Sequence, residues 1–109
     1  EVDLAATAWD VLVDFGSSPG MGDEALRVFL ARGLSAAPVS EFVREGEEAE
    51  IELAWIPLEE AVEAVLAGRI HSPSAVMGLL AAERASREEF AALRSVDAPF
   101  LLRPAVLPV

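Results

Sequence analysis

The periodicity of this sequence changes at Pro57. Before it, Glu50-Ile51-Glu52-Leu53-Ala54-Trp55-Ile56 alternates, with Ile51, Leu53 and Trp55 on one side and Glu50, Glu52 and Ala54 on the other. Alternation of this kind describes a half-buried strand. After it, Leu58, Ala61, Val62, Val65 and Leu66 recur at helical spacing, with Glu59, Glu60 and Glu63 on the opposite face. Proline lacks the N–H a strand would need and has the fixed φ of a first helical residue, so Pro57 suits the junction. Two earlier runs also read as strands, and everything after Pro57 reads as helix or irregular chain. Strands early and helices late make an α+β fold of about three strands followed by two helices.

The first strand is Ala8-Trp9-Asp10-Val11-Leu12-Val13-Asp14-Phe15, which ends at the turn-forming run Gly16-Ser17-Ser18-Pro19-Gly20. The second is Ala25–Ala31, expected to pair with the first across that loop. Residues 34–46, with Pro38 among them, read as a long connection. Gly68 is a natural stop for the first helix. Ser72-Pro73 opens the second as N-cap and first turn, with Val76, Leu79, Leu80 and Ala82 as its buried stripe. Glu83–Arg87 and Arg84–Glu88 are outer-face pairs worth about 0.2–0.5 kcal/mol each. The tail after Leu93 holds Pro99, Pro104 and Pro108 and reads as an irregular strap. Trp9 and Trp55, on strands, are expected in the core, and His71 is expected at a helix cap or on the surface.

Charge and composition narrow the chemistry. The 109 residues allow one small domain, and 53% hydrophobic residues make it globular. There is no cysteine, so thiolate chemistry is excluded, and the single histidine makes a zinc site a poor fit. A net charge of −11, with eight arginines and no lysine, repels nucleic-acid phosphates and anionic lipid, and the apolar runs are too short to span a bilayer. An anionic small molecule would be repelled too, unless a divalent cation bridged it to carboxylates.

Three segments, taken in order, carry a resemblance. Glu1-Val2-Asp3-Leu4 matches the last four positions of a signature that ends in glutamate, a variable residue, glycine and an aliphatic residue, with Asp3 where the glycine belongs. Ser17-Ser18-Pro19-Gly20-Met21-Gly22-Asp23-Glu24 follows a strand, and Pro19 lies 15 residues beyond Leu4. Glu45-Gly46-Glu47-Glu48-Ala49-Glu50 is an acidic run leading into a strand that ends at Trp55, Pro57 and Leu58. In this order and spacing the chain resembles the C-terminal portion of the ADP-ribose pyrophosphatases of the Nudix hydrolase superfamily, over almost its whole length.

The resemblance implies the C-terminal part of a Nudix-type α/β/α sandwich. Residues 1–109 would form a single partial domain, lacking most of the Nudix box and the N-terminal region. It implies Mg²⁺-dependent hydrolysis of ADP-ribose to AMP and ribose 5-phosphate, with Mn²⁺ as an alternative cation, in a cytoplasmic enzyme whose parent is a homodimer. Glu1 would be a metal ligand. Glu47, or next Glu48, would orient or deprotonate the attacking water. Ser18, Pro19, Gly20 and Glu24 would shape a loop around the terminal ribose. The expected substrate is ADP-ribose or a related nucleoside diphosphate sugar, with neither nucleic acid nor membrane as partner, and the isolated chain is expected to be inactive. The alternative is a non-catalytic Nudix-derived remnant or a protein-interaction module.

Overall fold

The structure is a computed structural model that describes residues 4–17, 24–36 and 53–101. Two long strands, β2 (Ala8–Gly16) and β3 (Ala25–Arg32), form an antiparallel hairpin, as their β-branched and aromatic content leads one to expect. A pair of two-residue strands, β1 (Leu4–Ala5) and β4 (Ser35–Ala36), forms a small antiparallel sheet. Two helices follow, α1 (Leu58–Leu66) and α2 (Pro73–Ser86), and then a short strand β5 (Arg94–Ser95). β5 joins the free side of β2, so the larger sheet has the order β3-β2-β5 and is antiparallel throughout. The α+β class is therefore as the order of periodicities indicates.

The hairpin is not uniform. Val11 pairs with Phe29 and Val13 with Val28, so Leu12 is an extra residue in β2, a β-bulge. The bulge resets the alternation by one. Asp14 is thereby paired with Arg27 on the face that carries Trp9, Val11 and Phe29, while Leu12, Val28 and Leu30 turn to the face that meets the helices. Without the extra residue Asp14 would point into the apolar layer.

Both helices stop and start as their sequences dictate. Pro57 stands in extended conformation as the N-cap of α1, and Glu59 and Glu60 in the first turn suit the positive end of the helix. At the other end Gly68 takes φ +78°, its N–H bonds the Val65 carbonyl at 3.0 Å, and the Arg69 N–H bonds the Ala64 carbonyl at 2.9 Å. These two bonds are a Schellman closure, and the left-handed residue it requires is the glycine. Ser72 is the N-cap of α2 with Pro73 in its first turn, and Glu83–Arg87 forms the expected pair at 3.0 Å. His71 is exposed, its Nε2 2.5 Å from the Gly68 carbonyl.

The helix faces differ from the expected stripes. α2 meets the sheet through Ala75, Gly78, Leu79 and Ala82, positions one step round from Val76 and Leu80. The small residues permit the close approach: Val28 Cγ1 is already 3.1 Å from where a β-carbon on Gly78 would stand. Leu80, on the adjoining face, is therefore left partly exposed, and Leu66, at the very end of α1, is largely exposed.

Four further expectations are corrected. Leu53–Ile56 belongs to no strand and is exposed, Trp55 to 69%. A strand needs a neighbour for its backbone groups, and none of the described strands lies alongside this stretch. Residues 50–52 of the expected strand lie outside the described residues. Trp9 is 54% exposed, because the sheet face it occupies is opposite to the one the helices cover. The connection after Leu34 begins with β4, and the tail after Leu93 is not wholly irregular, since β5 extends the sheet. No described helix is long and apolar enough to cross a membrane.

Candidate functional site

The turn end of the β2–β3 hairpin is pinned by a residue on each side of the expected sugar-binding loop. The Ser17 N–H donates to the Glu24 carbonyl at 3.2 Å, and the Ser17 hydroxyl donates to Glu24 Oε1 at 2.5 Å. Both residues are exposed. Among the described residues no bond reaches the second carboxylate oxygen of Glu24, a group that can accept from a hydroxyl. Of the expected site residues Glu24 is the one whose place is described. Glu1, Ser18, Pro19, Gly20, Glu47 and Glu48 lie outside the described residues.

Three residues further along each strand is a cluster absent from the expected site. Asp14 and Arg27 form a two-point ion pair, Nε to Oδ1 at 2.7 Å and Nη2 to Oδ2 at 3.1 Å, with side chains only 10% and 8% exposed. Arg94 adds a second guanidinium to Asp14 Oδ2 at 3.1 Å. The hydrogen bond from Arg27 is the chief reason the Asp14 carboxyl is held below the usual carboxylate range. Burial acts against it, and Arg94 reinforces it. Arg27 is correspondingly raised by Asp14. Arg27 also donates to the Ala98 carbonyl at 2.8 Å and the Pro99 carbonyl at 3.0 Å, and its guanidinium carbon lies 4.7 Å from the centre of the Phe100 ring. Two positive groups around one carboxylate are a local excess of positive charge on a chain of net charge −11. A sequence signal existed: opposite charges at positions 14 and 27, each inside an otherwise apolar run. Without the bulge at Leu12 the register that unites them is not apparent.

On the helix side, Arg32 is less completely engaged. One nitrogen reaches Asp10 at 3.0 Å, the guanidinium stands 4.9 Å from the centre of the Phe90 ring, and its buried Nε has no partner among the described residues. Between this face and the helices is a cavity of about 500 Å³, lined chiefly by aliphatic side chains such as Leu12, Val28, Leu30, Leu58 and Leu79, with Phe90. Such a lining offers nothing to a phosphate. Among the described residues no group of three or more His, Asp or Glu side chains stands close enough to hold a metal ion. The glutamates of the metal expectation lie outside the described residues.

No family model matches the chain. The chain is similar to a curated protein named ADP-ribose pyrophosphatase from Mycobacterium tuberculosis (strain ATCC 25618 / H37Rv), with 40% identity over 104 residues. The match covers 95% of this chain and 49% of that protein, so the chain spans about half the length of the curated relative it matches.

Proposed function

We propose that this chain is the C-terminal part of a Nudix-type hydrolase that cleaves the pyrophosphate of ADP-ribose to AMP and ribose 5-phosphate. The observation that carries the reading is the 40% identity to an ADP-ribose pyrophosphatase across 95% of the chain. The Ser17–Glu24 closure adds to it, since it holds fixed the two ends of the loop that contains Ser18, Pro19 and Gly20. In this reading that loop and Glu24 receive the terminal ribose: glycine lets backbone approach the sugar, and serine and glutamate meet its hydroxyls. Glu47, or Glu48 beside it, orients the attacking water or takes its proton. Glu1 belongs to a metal cluster completed by glutamates from the other half of the enzyme. Mg²⁺, with Mn²⁺ able to replace it, would neutralise the pyrophosphate and stabilise the leaving phosphate. Two such polypeptides would form the working dimer in the cytoplasm. Taken alone, the chain would be inactive.

The test is a chimera in which this chain replaces the matching half of the M. tuberculosis relative. Glu47→Gln should lower its turnover of ADP-ribose by about 10²-fold or more with substrate affinity nearly unchanged, as expected of a group that acts in the transition state. A near-normal Glu47→Gln with a dead Glu48→Gln would move the role by one residue. Two near-normal variants would end the assignment of a base to this loop. A second reading, a non-catalytic remnant serving as a protein-interaction module, draws support from the exposed Trp9, Phe29, Trp55 and Ile56. A chimera that folds and binds ADP-ribose but does not cleave it would favour that reading.

A further inference from the structure

We propose that residues 94–101 form a strap that detaches from the sheet as a unit, and that Arg27 is its latch. The inference is independent of the proposed reaction. Among the described elements β5 touches only β2, and their ladder is two residues long, Asp10 with Ser95 and Val11 with Arg94. The β2–β3 ladder, by contrast, has eight register pairs. Beyond the ladder, the side-chain attachments described between strap and sheet converge on one point. Arg94 holds Asp14, and Arg27, itself gripped by Asp14, holds the carbonyls of Ala98 and Pro99 and faces the Phe100 ring. The planar fork of arginine suits it to several acceptors at once.

The remaining polar contacts described for the strap are internal. The Ala98 N–H donates to the Ser95 carbonyl at 2.9 Å, and the Ser95 hydroxyl donates to Asp97 Oδ1 at 2.5 Å. They would survive detachment, so the segment can leave without unravelling. Most of it faces solvent already: Arg94, Ser95, Val96, Asp97, Pro99 and Leu101 are exposed. Departure uncovers one thing of consequence, the edge of β2 at Asp10 and Val11, where Val11 is only 1% exposed in the closed form. An uncovered central strand is an acceptor for another strand. The latch thus decides whether β2 is paired on both sides at Asp10 and Val11 or open on one. Segments with few buried contacts and short ladders open below the free energy of global unfolding.

Hydrogen exchange read by mass spectrometry on the 109-residue chain tests this. In the wild type, peptides from 94–101 should exchange more slowly than a free peptide of the same sequence. Arg27→Gln should raise their exchange roughly tenfold or more and leave peptides from α2 within about twofold. Arg27→Lys should fall between, since it keeps the charge and loses the fork. Phe100→Ala, which leaves the hairpin untouched, should raise exchange in the strap alone, by less. If Arg27→Gln unfolds the chain, Phe100→Ala and Arg94→Gln decide the matter by the same criterion. Equal acceleration of strap and α2 would make Arg27 a support of the whole fold and overturn the latch. So would an unchanged strap, or a wild-type strap that exchanges at the free-peptide rate.

Discussion

The two faces of the β2–β3 hairpin are held by different physics, although the same residues alternate between them. One face carries Asp14 and Arg27, joined by two hydrogen bonds and tied to Arg94 and the 94–101 segment. The other packs against α2 and, through Leu12, Val28 and Leu30, faces Leu58 of α1 across an open cavity of about 500 Å³. The charged face is the more tightly specified. Every bond there has a direction, and the removal of either partner strands the other in a place poor in water. Away from the Asp10–Arg32 pair at its end, the apolar face has no such requirement. Its stabilisation scales with the area removed from water and changes gradually as side chains shift. Charge buried in a small domain is ordinarily a liability, and here full pairing turns it into the most exacting part of the sheet.

The largest break in that contrast should come from Asp14→Leu. It leaves Arg27 and Arg94 facing each other without the carboxylate that separates them. Breaking a buried pair costs about 3–5 kcal/mol, and the lower end applies because Arg94 can turn to solvent. Leu12→Ala on the other face should cost less than the usual core range of about 2–5 kcal/mol, since Leu12 already borders open space. Urea denaturation of both variants compares the faces directly. If Leu12→Ala proves the more damaging, the apolar face is the more demanding of the two.

Next in size is Gly33→Ala, at the corner where β3 ends. Gly33 has φ +68°, and a β-carbon there would stand 1.9 Å from the Thr7 hydroxyl oxygen. Thr7 cannot simply withdraw, because its N–H bonds the carbonyls of Arg32 and Gly33 at 3.0 and 3.2 Å. Strain of this kind costs of order 1–3 kcal/mol. Adding Thr7→Ala should recover part of the loss by removing the oxygen, and the left-handed backbone keeps the rest. Full recovery would mean that the conformation of Gly33 costs alanine nothing.

A smaller and pH-dependent effect should follow Asp14 itself. Its carboxyl is held below the ordinary value of 3.8, first by the Arg27 hydrogen bond. A group depressed on folding contributes its stability in full above the unfolded-state value and loses it as pH falls through the folded-state value. The stability gap between wild type and Asp14→Asn should therefore be constant at neutral pH and narrow below about pH 4, the ordinary aspartate range. Asp97, lowered by its bond from Ser95, titrates in the same sense but is exposed and present in both proteins, so it cancels in the comparison. A gap that does not narrow in acid would mean that the ionised state of Asp14 is not what the pair depends on.

The sequence gives away the elements with strong local signals. β2, β3, α1 and α2 were legible from alternation, from helical spacing, and from Gly68, Ser72 and Pro73 at the helix ends. What it hid depended on distant partners. Glu50–Ile56 alternates well, but its described part pairs with no strand, and pairing is not a local property. β5 is two residues long and exists because β2 has an edge to receive it. Trp9 looked like core by composition, and its exposure follows from which sheet face the helices cover. Of the candidate site, Glu24 lies among the described residues, bonded to Ser17 where the hairpin loop begins and ends. The meeting of Asp14 and Arg27 is not legible locally, because a single bulged residue decides it. Glu1, Ser18, Pro19, Gly20, Glu47 and Glu48 are still expectations from the resemblance, outside the described residues.

The smallest expected effect is at Gly78, where the tolerance of the apolar face can be measured. Gly78 lies in the middle of α2, buried against β3. Replacing glycine by alanine in a helix interior favours the helix by about 1 kcal/mol, because the unfolded chain loses freedom. The opposing cost is contact: the new methyl would stand 3.1 Å from Val28 Cγ1, too close by a few tenths of an ångström. Val28 also borders the cavity, so its side chain has somewhere to go. In a close-packed interior that adjustment would cost about 1–3 kcal/mol, and an adjacent void should reduce it well below that. The two effects should nearly cancel, leaving Gly78→Ala within about 0.5 kcal/mol of wild type, as for an ordinary surface substitution. A loss above about 2 kcal/mol would place the fit at Gly78 among the exacting contacts of the fold. The division between a strict charged face and a forgiving apolar one would then fail at the point where α2 comes closest to the sheet.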